Sequence, residues 1–135
     1  MLKKLALSIV VSFLFSSGWV VADEQVKNMK LYLMIGQPNS ETWAGIVKNE
    51  TDMSIDGRKG IEAMGGEMLG FYIGVGEMKN YAIVAFPDSF DVSRIVFTRA
   101  MQGVMDDIQF IEIMSTEKAQ EVFKAINATQ IGGNA

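Results

Sequence analysis

Apolar runs of strand length alternate with segments of helical spacing along most of this chain. The first run, residues 29–36, carries apolar side chains on both of its alternating faces: Leu31, Tyr32, Leu33, Met34 and Ile35. Two apolar faces are typical of a strand that is buried on both sides. The pattern therefore predicts a central strand, ended by Gln37-Pro38-Asn39.

Two short helices are predicted after this strand. Ser40 is the expected N-cap of the first helix, which carries Trp43 on its apolar face. Asp52 or Ser54 is the expected N-cap of the second helix, which runs to Met64. The two glycines that follow Met64 are a suitable stop, because glycine adopts the left-handed conformation without a steric penalty.

Two further glycines, Gly57 and Gly60, lie inside the second helix. Each costs roughly 1 kcal/mol relative to alanine at such a position. One use for them is a close approach of the helix to the sheet, and the other interpretation is that this helix is weak. Both glycines lie on the helix face that we expect to turn inward, together with Ile61 and Met64.

A β-hairpin is predicted at the centre of the chain. Residues 67–76 form one strand and residues 81–86 form its partner, joined by a turn at 77–80. Four residues are too few for a crossover connection, so the two strands must be antiparallel. Strict alternation then places Leu69 and Phe71 on the same face of the sheet.

The remaining pattern predicts a helix, a strand and a last helix. Asp88 or Ser89 caps the helix, which ends at Gln102-Gly103. The fourth strand covers residues 107–114, and a helix capped by Ser115 or Thr116 then runs through Ala125.

The order β-α-β-β-α-β, followed by a terminal helix, predicts an α+β fold of the ferredoxin-like type. Four antiparallel strands carry helices on one face, and the other face is apolar as well. Because a large apolar surface is unusual on a soluble monomer, we expect two sheets to pack together as a dimeric α+β barrel. The domain covers 29–128, between a loose lead at 23–28 and a flexible tail at 129–135.

The first 22 residues have the layout of a signal peptide. Lys3 and Lys4 precede an uncharged apolar run at 5–21, and Ala22 offers a cleavage site before Asp23. The alternative is a membrane-anchoring helix, for which the run is short. The sequence thus predicts an exported protein, periplasmic or secreted, that has no membrane association after cleavage.

The charge and the missing residue types exclude several functions. Cleavage removes two of the 12 basic residues and none of the 16 acidic ones, leaving a net charge of −6. An acidic chain is a poor binder of nucleic acid, because neutralised phosphates supply most of that affinity. The sequence has no Cys and no His, which excludes disulfides, Ser-His-Asp triads and His-ligated metals. We expect no cofactor.

The ten methionines raise the question of a copper(I) site, because thioether sulfur is a soft ligand and the protein is predicted to be exported. They are scattered among predicted strands and helices. That distribution favours core filling, for which the flexible methionine side chain is well suited.

Aromatic side chains near the hairpin are candidate ligand-binding residues. Tyr72 and Tyr81 lie on adjacent predicted strands. They could act as phenol donors in a cleft, or they could pack against each other across the strands. Trp43 either lines a pocket with Phe71 and Tyr81 or anchors its helix in the core, with its N–H bonded to backbone. Packing is the commoner role for residues of these types.

Charged side chains at the hairpin turn are further candidates. Glu77 and Lys79, with Asn80, could gather an anionic ligand. Polar residues also belong at a solvated hairpin tip, which is their commoner role.

Three segments, YLMIGQPNSETWAGIVKN, IEAMGGEMLGFYIGVGE and YAIVAFPD, resemble the GYD-domain proteins of bacteria and archaea. The order and spacing of the segments carry this resemblance over residues 29–126. The Gly-x-Tyr-Asp turn that names the family aligns with Gly76-Glu77-Met78-Lys79, in which the Tyr and the Asp are replaced. The resemblance implies a dimeric α+β barrel and no settled activity.

These observations leave three functions open. The first is a homo-oligomeric ligand-binding or assembly module for a small apolar ligand. The second is a cofactor-free enzyme acting on a small aromatic or quinone-like substrate, with Glu77, Tyr72 or a carboxylate of raised pKa transferring the proton. The third is a purely structural oligomer. A buried acid in an apolar pocket would favour the enzyme, and a pocket without ionisable groups would favour binding.

Overall fold

The computed structural model of this protein describes residues 26 and 28–131. The predicted signal peptide, with its cleavage site, lies outside the described residues, as do most of the lead and the end of the predicted tail at 132–135.

The described residues form four strands and four helices. The strands are β1 (Lys30–Pro38), β2 (Glu67–Ile73), β3 (Asn80–Phe86) and β4 (Met105–Ile113). The helices are α1 (Ser40–Lys48), α2 (Met53–Ala63), α3 (Ser93–Gln102) and α4 (Thr116–Ile131). Helix α4 continues past Ala125, where the sequence predicted its end, and includes the first residues of the predicted tail.

The four strands form one antiparallel sheet in the order β2-β3-β1-β4. Leu33 of β1 pairs with Ile83 of β3 on one side and with Ile111 of β4 on the other. Strands β2 and β3 form the predicted hairpin. The predicted ferredoxin-like α+β fold with a C-terminal helix is thereby confirmed.

One face of the sheet, called the inner face, carries the core under α1, α2 and α3. Its strand residues pack with Ile61 of α2 and Ile95 of α3. The buried strand residues of this cluster are Tyr32, Met34, Met68, Ala82, Val84 and Phe86. Burial of each large apolar side chain stabilises the fold by about 1.5–3 kcal/mol.

Strand β2 contains a bulge that the sequence did not predict. The register with β3 shifts between Met68 and Gly70, so Leu69 is the extra residue. Met68 pairs with Val84 and Phe71 pairs with Ala82, which places both on the inner face. The prediction that Leu69 shares a face with Phe71 is therefore wrong, and Leu69 is 45% exposed.

Two helices begin elsewhere than predicted. Asn39, one residue before Ser40, is the N-cap of α1, and its Oδ1 accepts a hydrogen bond from the N–H of Thr42 at 2.9 Å. Helix α3 begins at Ser93, after the expected caps at 88 or 89. The reason is Phe90, whose ring stacks on Phe86 at 4.3 Å and holds the preceding turn against the core.

The glycines of α2 differ in their surroundings. A Cβ at Gly57 would lie 3.1 Å from Cε of Met68, so the predicted close approach to the sheet is confirmed there. A Cβ at Gly60 would have no atom within 4 Å, so the same prediction is wrong at this position. Gly60 borders empty space instead.

The opposite face of the sheet, called the outer face, is apolar. Its central side chains, half-buried or exposed, include Leu31, Leu33, Ile35, Ile83, Ile111 and Ile113, whereas the polar Glu67 and Gln109 lie on its edge strands. In the described part of the chain, no element packs extensively against α4, whose Val122, Phe123 and Ile126 are exposed. The monomer therefore presents two apolar surfaces to solvent.

Candidate functional site

A cavity of about 370 Å³ lies between the inner face of the sheet and helices α1, α2 and α3. The sheet provides a floor that includes Met34, Phe71 and Ile108. Ile61 and Ile95 come from α2 and α3. This position follows from the fold, because three helices laid on one twisted sheet diverge and leave space where no large side chain fills it.

The polar groups of the lining are mostly engaged with the protein itself. Thr42 Oγ1 donates to the carbonyl of Val104 at 3.0 Å. Thr98 Oγ1 donates to the carbonyl of Arg94 at 2.7 Å. Gln102 Oε1 accepts a hydrogen bond from the guanidinium of Arg99 at 2.9 Å. These bonds hold the side chains of α1 and α3 at the edge of the cavity.

The charged residues of the lining are Asp56 and Arg99. Asp56 is exposed and Arg99 is half-buried. The described lining therefore contains no buried acid, which is the group that an acid–base enzyme would need here.

Asn80 is the exception among the polar lining residues. It is the first residue of β3, between Gly36 of β1 and Ile73 of β2, and it is only 4% exposed. Its Oδ1 finds no hydrogen-bond donor in the described part of the chain. Because a buried acceptor without a partner costs about 1–3 kcal/mol, this oxygen calls for an explanation.

The Asn80 side chain lies directly over Gly36 of β1, in the space that a Cβ would occupy. A Cβ at position 36 would be 2.7 Å from Asn80 Oδ1 and 2.7 Å from Cε of Met105. Asn80 Oδ1 and the Met105 methyl group thus lie side by side over this glycine. Any other residue at position 36 would displace one of them.

Four methionines line the cavity: Met34, Met53, Met64 and Met105. They do not form a single metal site, because Met53 and Met64 lie at opposite ends of α2, about 16 Å apart along a helix axis. The described residues also contain no group of His, Cys, Asp or Glu that could hold a metal ion. Flexible thioether side chains instead give the cavity a lining that adapts in shape.

The residues predicted as ligand-binding from the sequence are not all brought together. Phe71 lines the cavity, whereas the lining does not include Trp43, Tyr72, Glu77, Lys79 or Tyr81. Trp43 donates its indole N–H to the carbonyl of Met78 at 3.0 Å, the backbone bond expected of an anchoring residue. Lys79 accepts a hydrogen bond at its own carbonyl from the N–H of Gly74 at 2.8 Å, which closes the turn.

The two tyrosines are direct cross-strand partners on the outer face. Tyr72 is 63% exposed, and the Tyr81 hydroxyl donates a hydrogen bond to the carboxylate of Glu77. That bond raises the pKa of Tyr81, with smaller contributions from desolvation and from the charge of Glu77. This pair lies on the other side of the sheet from the cavity.

Sequence reasoning missed Met105 as a site residue and expected Asn80 beside Glu77 and Lys79 at the hairpin tip, not in the cavity. Asn80 was assigned to the turn, where an Asn is expected. The position of Asn80 in the strand could have revealed its role. Asn80 lies two, four and six residues before Ala82, Val84 and Phe86, so all four side chains point to the same face of β3. A polar residue on the buried face of a strand is unusual and therefore informative.

Comparison of the chain with protein-family models, with curated proteins and with solved structures finds no match. Among the described residues, no helix combines the length and the apolar character that crossing a bilayer requires.

Proposed function

We propose that this protein is an exported ligand-binding module that holds a small, largely apolar molecule in the cavity under α1, α2 and α3. The observation that carries the proposal is the cavity itself, of about 370 Å³, with Asn80 at its floor. Ligand sites in proteins have volumes of about 300–1,000 Å³ and combine an apolar lining with a few polar groups. The adaptable methionines of the lining fit the same role.

Binding is proposed over catalysis because of where the ionisable groups lie. A cofactor-free enzyme would need a proton-transfer group beside its substrate. Glu77 and Tyr72, the candidates from the sequence, are absent from the cavity lining. The acid of the lining, Asp56, is exposed.

We also propose that the protein acts as a homodimer in which two outer faces pack together. The apolar side chains of that face, such as Leu33 and Ile111, support the proposal because solvent is a poor environment for so many of them. The resemblance to GYD-domain proteins points to the same α+β barrel. Light scattering on residues 23–135 tests it, since a stable monomer would contradict the barrel and make the outer face a binding surface for something else.

The cavity proposal is tested with a fluorescent apolar dye, N-phenyl-1-naphthylamine, and a pair of matched variants. Gly60 and Gly45 both lie inside helices, and a Cβ at either position would meet no atom within 4 Å. Gly60 lines the cavity, whereas the described lining does not include Gly45. Gly60→Leu therefore fills the cavity, and Gly45→Leu is its control.

The expected result is saturable binding of one dye per chain by the native protein and by Gly45→Leu. Gly60→Leu should weaken binding by about tenfold or more, because the added side chain occupies the space that the dye needs. Equal binding by all three proteins would place the dye outside the cavity and contradict the proposal. So would the absence of dye binding by the native protein.

A further inference from the structure

We propose that Asn80 makes the cavity selective for ligands that carry a hydrogen-bond donor, a hydroxyl or an N–H group, on an apolar body. Small phenols and alcohols are the chemical class that fits. This inference rests on the proposed ligand-binding function and specifies its ligand.

The position of Asn80 in the sheet prevents its amide from escaping to solvent. Strand β3 lies between β1 and β2, and its residue 80 pairs with Gly36 and with Ile73. The backbone is thereby held on both sides. With 4% of the residue exposed, Oδ1 can gain a partner only from the interior of the protein.

The neighbouring Met105 side chain provides the route to this oxygen. Its Cε lies over Gly36 next to Asn80 Oδ1, and Met105 also lines the cavity. A methionine side chain has three rotatable bonds and repacks at little cost. A shift of its terminal methyl group would open Oδ1 to a molecule in the cavity.

The other polar groups of the lining differ from Asn80, because they are either bonded to the protein or, like Thr51 and Asp56, exposed to solvent. The hydroxyls of Thr42 and Thr98 donate to backbone carbonyls, and the Gln102 oxygen accepts from Arg99. Asn80 Oδ1 is an acceptor that has no partner in the described chain. An acceptor discriminates between ligands by their donors, because a hydrocarbon or an ether leaves it unpaired and an O–H or N–H group satisfies it.

A neutral ligand fits this site better than a charged one. The floor includes Met34, Ile108 and Phe71, none of which can compensate a buried charge. The charged lining residues, Asp56 and Arg99, lie on α2 and α3 instead. The selectivity expected from one buried hydrogen bond is about tenfold in affinity.

The test compares 2-naphthol with 2-methylnaphthalene, two molecules of nearly equal shape of which only the first carries a donor. Calorimetric titrations are made on native residues 23–135, on Asn80→Leu and on Gly60→Leu. The native protein should bind 2-naphthol about tenfold more tightly than 2-methylnaphthalene. Asn80→Leu should lose this preference or reverse it, because the naphthol hydroxyl would then be buried without an acceptor. Gly60→Leu should bind both weakly.

Three results would overturn the inference, and they separate it from the proposed function. Equal native affinities, with both lost in Gly60→Leu, would leave the cavity as a binding site but remove the role of Asn80. A preference for 2-naphthol that persists in Asn80→Leu would place the acceptor elsewhere. Binding of neither molecule would remove the proposed function as well.

A second measurement covers the case in which Asn80→Leu does not fold. The side-chain amide of Asn80 gives its own pair of signals in ¹H–¹⁵N spectra of the native protein. Addition of 2-naphthol should shift these signals more than addition of 2-methylnaphthalene at equal occupancy. Equal shifts would overturn the inference without use of a variant.

Discussion

The indole N–H of Trp43 donates to the backbone carbonyl of Met78 at 3.0 Å, across 35 positions of the sequence. This bond joins α1 to the turn between β2 and β3. Met78 has a φ of 54°, a left-handed conformation that residues other than glycine rarely adopt. A side chain from a distant helix thus helps to hold the turn in a conformation that its own sequence does not favour.

Trp43→Phe should destabilise the fold by about 1 kcal/mol, because it removes the donor and keeps most of the aromatic body. Urea denaturation followed by circular dichroism measures the change in the free energy of unfolding.

Met78→Gly should stabilise the fold, since glycine tolerates the positive φ. Its control is Met78→Ala, which shortens the side chain and keeps the strain. Equal stability of these two Met78 variants would contradict the role given to the turn conformation.

Asn80→Leu should raise the free energy of unfolding of the ligand-free protein by about 1 kcal/mol, because it removes a buried acceptor that has no partner. This sign is unusual for a substitution at a buried position, where most changes destabilise. Thermal unfolding without ligand measures it. Asn80→Asp is the comparison and should destabilise, because it buries a carboxylate instead of an amide. A destabilisation by Asn80→Leu would mean that the amide already has a partner.

The phenol of Tyr81 should titrate above its ordinary pKa of 10.0, because the hydrogen bond to Glu77 favours its protonated form. Since the pKa is higher in the folded state, this interaction stabilises the fold below pH 10 and is lost as pH rises through the raised value. Ultraviolet difference titration of native protein and Glu77→Gln measures it. The variant should lower the pKa of Tyr81 toward 10.0. An unchanged Tyr81 titration in Glu77→Gln would show that this bond does not form in solution.

Ile111→Lys should convert the proposed dimer to a monomer, because it places a charge on the apolar outer face, on the edge strand β4 beside Leu33. Sedimentation velocity over a range of protein concentrations measures the association. Val47→Lys is the matched control, since Val47 is 73% exposed on α1, away from the outer face. Dissociation by Val47→Lys but not by Ile111→Lys would place the interface on the helical side.

The fold followed from the sequence because alternation and helical spacing are local properties that each segment carries by itself. The cavity could not be predicted from the sequence, and Asn80 illustrates the reason. The strands are apolar on both faces, so periodicity alone does not identify the face that the helices cover. As long as the covered face was unknown, Asn80 was interpreted as a turn residue, and Tyr72 and Tyr81 remained candidate ligand-binding residues. Phe71, which was among the sequence candidates, lines the cavity, but the bulge that orients it depends on pairing with β3, which is not a local property.

The bulge at Leu69 makes the length of β2 independent of which residues the strand presents on the inner face of the sheet. Met68 and Phe71 keep their partners, Val84 and Ala82, with Leu69 as a surplus residue between them. A chain without Leu69 would preserve each of these pairs and straighten the strand, since bulges add local bend and twist. Loss of this single residue would therefore change the curvature of the sheet while Phe71 keeps its place in the cavity floor.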